Sequence, residues 1–195
     1  MYPGKQVEWT ANGLDVSNWQ ALPSNLKQAE SLRPQGKLVV GFFWHLKEKK
    51  GLGFFLDCLQ RSGYGERVHL LMIGEIEPEI EQTLQGQESI TYTVEPFCER
   101  YSLIPHYIAC DYIGLPSFYD GMPNVILEAA ALGKPFIASS VAGMADCLND
   151  GEHGYLFAPG DSQGCISAIA RACENQSDFT QSLAELTETF SAEKE

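Results

Sequence analysis

Short apolar runs separated by longer mixed segments organise this chain. The runs at residues 37–43, 68–74, 90–94, 111–115 and 135–139 are predicted strands. Several are apolar throughout instead of alternating with polar positions, the pattern of a parallel sheet covered on both faces. Between and after them, 52–61, 77–85, 103–109, 123–132 and 162–173 are predicted helices, and 177–195 is expected to add an amphipathic helix with a frayed acidic tip. This alternation predicts an α/β fold: a doubly wound parallel sheet with helices on both faces and right-handed crossovers. Ligands on such sheets bind beyond the carboxyl ends of the strands. The turns after Gly41, Gly74 and Ser117, and the one around Ala142 and Gly143, should therefore open on one edge.

Composition narrows the function. With 195 residues, 44% of them hydrophobic, the chain has enough apolar surface for one sizeable core. A formal net charge of -13 and a pI near 4.6 argue against nucleic acid and anionic membrane surfaces as partners. No apolar run approaches the roughly 20 residues of a membrane span, and no secretory leader pattern opens the sequence. Cys58, Cys98, Cys110, Cys147, Cys165 and Cys173 contain no Cys-x-x-Cys pair, and several lie in apolar runs. They are expected to be reduced core thiols in a cytoplasmic protein. The sequon at Asn175-Gln176-Ser177 is then expected to stay unmodified. His45, His69 and His106 have no metal-ligand spacing, and His153 is expected on the surface of a hairpin. Dinucleotide, P-loop, Gly-x-Ser-x-Gly and Asp-x-Asp motifs are all missing.

Candidate chemistry concentrates after the fourth predicted strand. There Asp120-Gly121-Met122-Pro123-Asn124 leads into a helix that carries Glu128. Proline lacks an N–H and suits the first helical position, so Pro123 is expected to start that helix. Gly121 permits close backbone approach, and the free amides of the turn, with the helix dipole, favour a phosphate. Glu128, further in, is placed to accept hydrogen bonds from sugar hydroxyls. The combination suits a nucleotide-sugar better than a bare nucleotide.

The same stretch, 116–139, resembles the signature of the family 4 retaining glycosyltransferases, which have the GT-B fold. In that family two glutamates stand at the positions of Asp120 and Glu128. Asp120 keeps the charge and shortens the reach by one methylene. Asn12-Gly13-Leu14-Asp15 and Trp19 resemble the segment that opens the family's second domain. The resemblance therefore implies the Rossmann-like donor half of a GT-B enzyme, with the acceptor-binding domain absent. Residues 1–30 would be linker and domain start, 31–176 the nucleotide-sugar-binding domain, and 177–195 a terminal helix and tail. Gly41 and the Lys50-Gly51 pair match the family's diphosphate-binding landmarks, whereas Phe42 stands where the family has arginine. Lys50, with Lys47 or Lys49, is left to neutralise the phosphates. Tyr107 and Asp111 match a segment whose role is mostly structural.

The resemblance implies metal-independent transfer of a hexose, with retention, from a UDP- or GDP-linked donor to an acceptor hydroxyl in glycan or polysaccharide biosynthesis. Asp120 and Glu128 are the expected catalytic pair. Gly41, Lys50, Gly121, Met122, Asn124 and Glu128 are the expected donor-binding residues, with no metal and no cofactor. An acceptor glycan or lipid-linked acceptor would reach the site through the missing domain, in a parent enzyme that also provides any contact with the inner membrane surface. The fragment alone is expected to transfer nothing. Two alternatives are a GT-B nucleotide-sugar epimerase and a non-catalytic α/β binding module.

Overall fold

The computed structural model describes residues 18–43, 48–87, 89–120, 124–175 and 177–190. Within them, six strands form one all-parallel sheet: β1 (Leu38–Phe43), β2 (Val68–Ile73), β3 (Thr91–Glu95), β4 (Tyr112–Leu115), β5 (Phe136–Ser139) and β6 (Gly154–Phe157). Their order across the sheet is β3-β2-β1-β4-β5-β6. The helices are α1 (Pro23–Leu32), α2 (Leu52–Ser62), α3 (Pro78–Gln85), α4 (Ile104–Ala109), α5 (Asn124–Ala131), α6 (Ala142–Ala145), α7 (Ser162–Glu174) and α8 (Thr180–Thr189). The Rossmann-like doubly wound architecture expected from the apolar runs is the one observed.

Burial explains the pattern. All six residues of β2 are buried, as a strand needs when helices cover both faces of its sheet. Leu52, Phe55, Leu56 and Leu59 form the buried stripe of α2, spaced at three and four residues. The matching stripe of α7, Cys165, Ala168, Ile169 and Ala172, packs with α2. Asp161 starts α7 by accepting hydrogen bonds from the Gln163 and Gly164 amides. Elsewhere α1 packs with α4, and α5 with α8.

Three local readings change. A helix, α1, occupies residues 23–32, where no helix was predicted; Ala29 is its buried residue. The turn expected at 142–143 is a single helical turn, α6. His153 is buried rather than on a hairpin surface, with its Nδ1 accepting the Asn149 amide at 3.0 Å. Burial accordingly holds the His153 pKa below the usual histidine value.

Candidate donor site

Strand order reverses between β1 and β4, the switch point at which doubly wound sheets bind ligands beyond their carboxyl edge. Two loops meet at that point, the one entering α2 and the one leaving β4. Gly51, with φ of +75°, brings its backbone so close to Pro116 that a Cβ would lie 2.0 Å from the proline carbonyl oxygen. Beside this contact the Phe118 amide donates to the Lys49 carbonyl at 3.2 Å. From the other side, the buried Ser139 hydroxyl donates to the carbonyls of Ser117 at 2.5 Å and Leu115 at 3.2 Å. The β4 loop is thus held by hydrogen bonds from two neighbours before any ligand arrives.

On this frame Lys50 Nζ donates to Asp120 Oδ2 at 2.6 Å, and the Ser117 hydroxyl reaches the same oxygen at 3.4 Å. The lysine side chain is 34% exposed and the aspartate 17%. A cation and a carboxylate from different loops therefore sit together at the switch point, half open to water. Asn124 begins α5 directly after this loop. Gly121 and Met122, and the predicted start at Pro123, lie outside the described residues.

Glu128 is placed differently from the expectation. Its side chain is only 1% exposed, so it does not present an open carboxylate to sugar hydroxyls. Oε1 accepts from Arg100 Nε at 2.7 Å and Oε2 from the Tyr107 hydroxyl at 2.8 Å. A buried carboxylate needs such partners, because desolvating an unpaired charge is costly. Tyr107 is fully buried, stacked on Phe43 with ring centroids 4.0 Å apart and edge-on to Trp19. Arg100 lies over the Trp19 ring, 5.7 Å from its centroid, and its side chain remains 41% exposed. Below it, His106 bridges the Ser102 carbonyl at Nδ1 and the Glu95 carboxylate at Nε2, fixing the loop that carries Arg100 against α4.

Gly41 and Phe42 also fall elsewhere. Gly41 lies inside β1, where the space of a side chain is filled by Cys110 Sγ, so in this structure it serves packing below the edge. Burial pushes the pKa of that thiol up to about 12, which leaves it an apolar filler. Phe42 is a core residue, edge-on to Phe55 and close against Gly114. An arginine there would point into the core. Arg100 escaped the sequence reading, since the irregular segment after β3 carries no motif; only an isolated cation near two aromatic residues marked it. Among the described residues no group of three or more His, Cys, Asp and Glu side chains could hold a metal ion.

The family model for glycosyl transferases group 1 matches residues 37–175, a span that contains both carboxylates and every strand. The chain belongs to this family. Among relatives of the group 1 domain, the capsular polysaccharide biosynthesis glycosyltransferase CapM of Staphylococcus aureus is 24% identical over 86% of this chain and 45% of its own length. The amylovoran biosynthesis glycosyltransferase AmsK of Erwinia amylovora is 23% identical over 90% of this chain and 44% of its own length. The group 1 domain described here thus spans less than half of either relative.

Solved structures agree on the architecture. Anabaena Alr3699/HepE in complex with UDP and glucose superposes with a TM-score of 0.78 at 23% identity, over 92% of this chain and 52% of that one. The C-terminal domain of the group 1 protein LpcC from Francisella tularensis gives 0.71 at 21% identity, over 91% and 97%. The group 1 domain therefore has the fold of the C-terminal half of a GT-B glycosyltransferase. Among the described residues no helix is long and apolar enough to cross a membrane.

Proposed function

We propose that this domain binds the nucleotide diphosphate sugar donor of a two-domain glycosyltransferase acting in polysaccharide biosynthesis. The observation that carries the reading is the Lys50–Asp120 pair on the loops joined at the β1/β4 switch point. In the full enzyme the reaction is metal-independent hexosyl transfer with retention. The names of CapM and AmsK support polysaccharide biosynthesis, and the UDP and glucose bound by Alr3699/HepE support a UDP-linked hexose.

Negative charge accumulates on the diphosphate as the sugar leaves. The Lys50 ammonium, a compact point charge, neutralises part of it, and the amides at the start of α5 add fixed dipoles. Asp120, once its lysine turns to phosphate, accepts hydrogen bonds from the donor sugar. The acceptor is read by the other half of the enzyme, whose closure excludes water.

Calorimetric titration with UDP, GDP and ADP tests the donor reading. One diphosphate should bind selectively, and Lys50→Met should weaken it by about tenfold or more, as loss of a charged hydrogen bond requires. Absence of binding to all three, by the chain and by a two-domain parent, would refute it.

A further inference from the structure

Both carboxylates of the 116–131 motif are met by cations from outside it, Asp120 by Lys50 and Glu128 by Arg100. The second pair is built asymmetrically. Glu128 is sealed, whereas Arg100 is not. Arginine binds Glu128 through Nε, and among the described residues its two terminal nitrogens make no hydrogen bond. A guanidinium carries five N–H donors in a rigid fork, so one edge is committed and the outer edge remains available. The guanidinium lies over the Trp19 ring, and the His106–Glu95 bridge holds the segment that bears it. This loop follows β3, so it emerges on the same carboxyl edge as Lys50.

We propose that Arg100 is a donor-contacting residue whose outer edge binds the diphosphate, while its inner edge uses buried Glu128 as an anchor. The proposal rests on the donor-binding reading above. Glu128 then acts as a positioning residue that orients a cation. Phe42 cannot contribute charge from inside the core, and Lys50 is already shared with Asp120. A planar fork over an aromatic ring suits a phosphate oxygen pair, since bidentate contact is arginine's particular capacity.

The test separates cation from anchor. Arg100→Gln alone strands a buried carboxylate and risks unfolding, so the informative comparison is Glu128→Gln against the double variant Arg100→Gln/Glu128→Gln. Neither leaves an unpaired buried charge, and melting curves establish that both fold. The probe is inorganic pyrophosphate, which has no ribose or base, competing against whichever of UDP, GDP or ADP the wild-type chain binds. Glu128→Gln should bind pyrophosphate as well as wild type or better, because its cation is no longer neutralised. The double variant should bind it about ten- to a hundredfold more weakly, the range for one charged hydrogen bond. Equal pyrophosphate affinity in the two variants, or no competition by pyrophosphate in wild type, would overturn the role of Arg100 while leaving donor binding intact. Failure of all three diphosphates, with the chain and with a two-domain parent, would instead remove the donor reading itself.

Discussion

Replacing Gly51 by alanine should do two separable kinds of damage. The first is conformational: φ is +75°, a region where a Cβ costs about 1–2 kcal/mol. The second is steric. The new Cβ would lie 2.0 Å from the Pro116 carbonyl oxygen and 2.8 Å from its carbon, both backbone atoms with little freedom to yield. Relief requires the β4 loop to retreat, which strains the Phe118-to-Lys49 hydrogen bond and pulls Asp120 from Lys50. Overpacking of this kind adds about 1–3 kcal/mol. Gly36 supplies the control, since it has φ of +73° and nothing within 4 Å of the point where a Cβ would stand. Gly36→Ala should therefore cost only the conformational part. Urea unfolding of the two variants, with equal m-values, measures the difference directly. We expect Gly51→Ala to be less stable than Gly36→Ala by about 1–3 kcal/mol, or about 2–12 °C in Tm. It should also lose nucleoside diphosphate affinity that Gly36→Ala keeps. Equal stability and equal affinity would show that the loop junction is not the rigid frame argued above.

Three further outcomes follow from the same geometry. Tyr107→Phe removes the hydroxyl from buried Glu128 Oε2 without changing shape, and should cost about 1–3 kcal/mol in urea unfolding; no loss would mean that oxygen is satisfied otherwise. Phe42→Arg, which supplies the residue the resemblance implies there, should leave the chain insoluble or unfolded by circular dichroism, because the position is packed against Phe55 and Gly114; a folded variant with tighter diphosphate binding would contradict this placement. Burial lowers the pKa of His69, with Lys37 adding to the effect, and burial also lowers that of His153. Their neutral forms are favoured in the folded chain, so their stabilisation is complete above the unfolded value of about 6.5 and lost as pH falls through the folded values. Tm should drop on acidification below that point, and less steeply in His69→Gln/His153→Gln; identical slopes would exclude these histidines as the cause.

Sequence alone was most legible where one residue type has one physical use. Continuous apolar runs such as Val68–Ile73 marked buried parallel strands, and the Gly51 and Asp120 turns marked the loops that meet at the edge. α1 escaped because a helix that buries mainly Ala29 leaves almost no periodic apolar trace. Glu128 was found, but its environment was not. Its partners Arg100 and Tyr107 stand 28 and 21 residues away in sequence, and only the fold brings them together. Gly41 illustrates the converse error. Its matching neighbours suggested a ligand contact, whereas the thiol of Cys110 already occupies the space a side chain would need.

The order β3-β2-β1-β4-β5-β6 also governs how this domain emerges from a ribosome. β1, β2 and β3 are translated first and form one wing, but the other side of β1 stays open until Tyr112 and the rest of β4 have been made. At roughly 5–20 residues per second that edge waits for several seconds, apolar and unpaired. Nascent chains arrested before β4 should therefore recruit chaperones or aggregate, and those arrested after β5 should not. The seam proposed to receive the donor is the place where the two wings join.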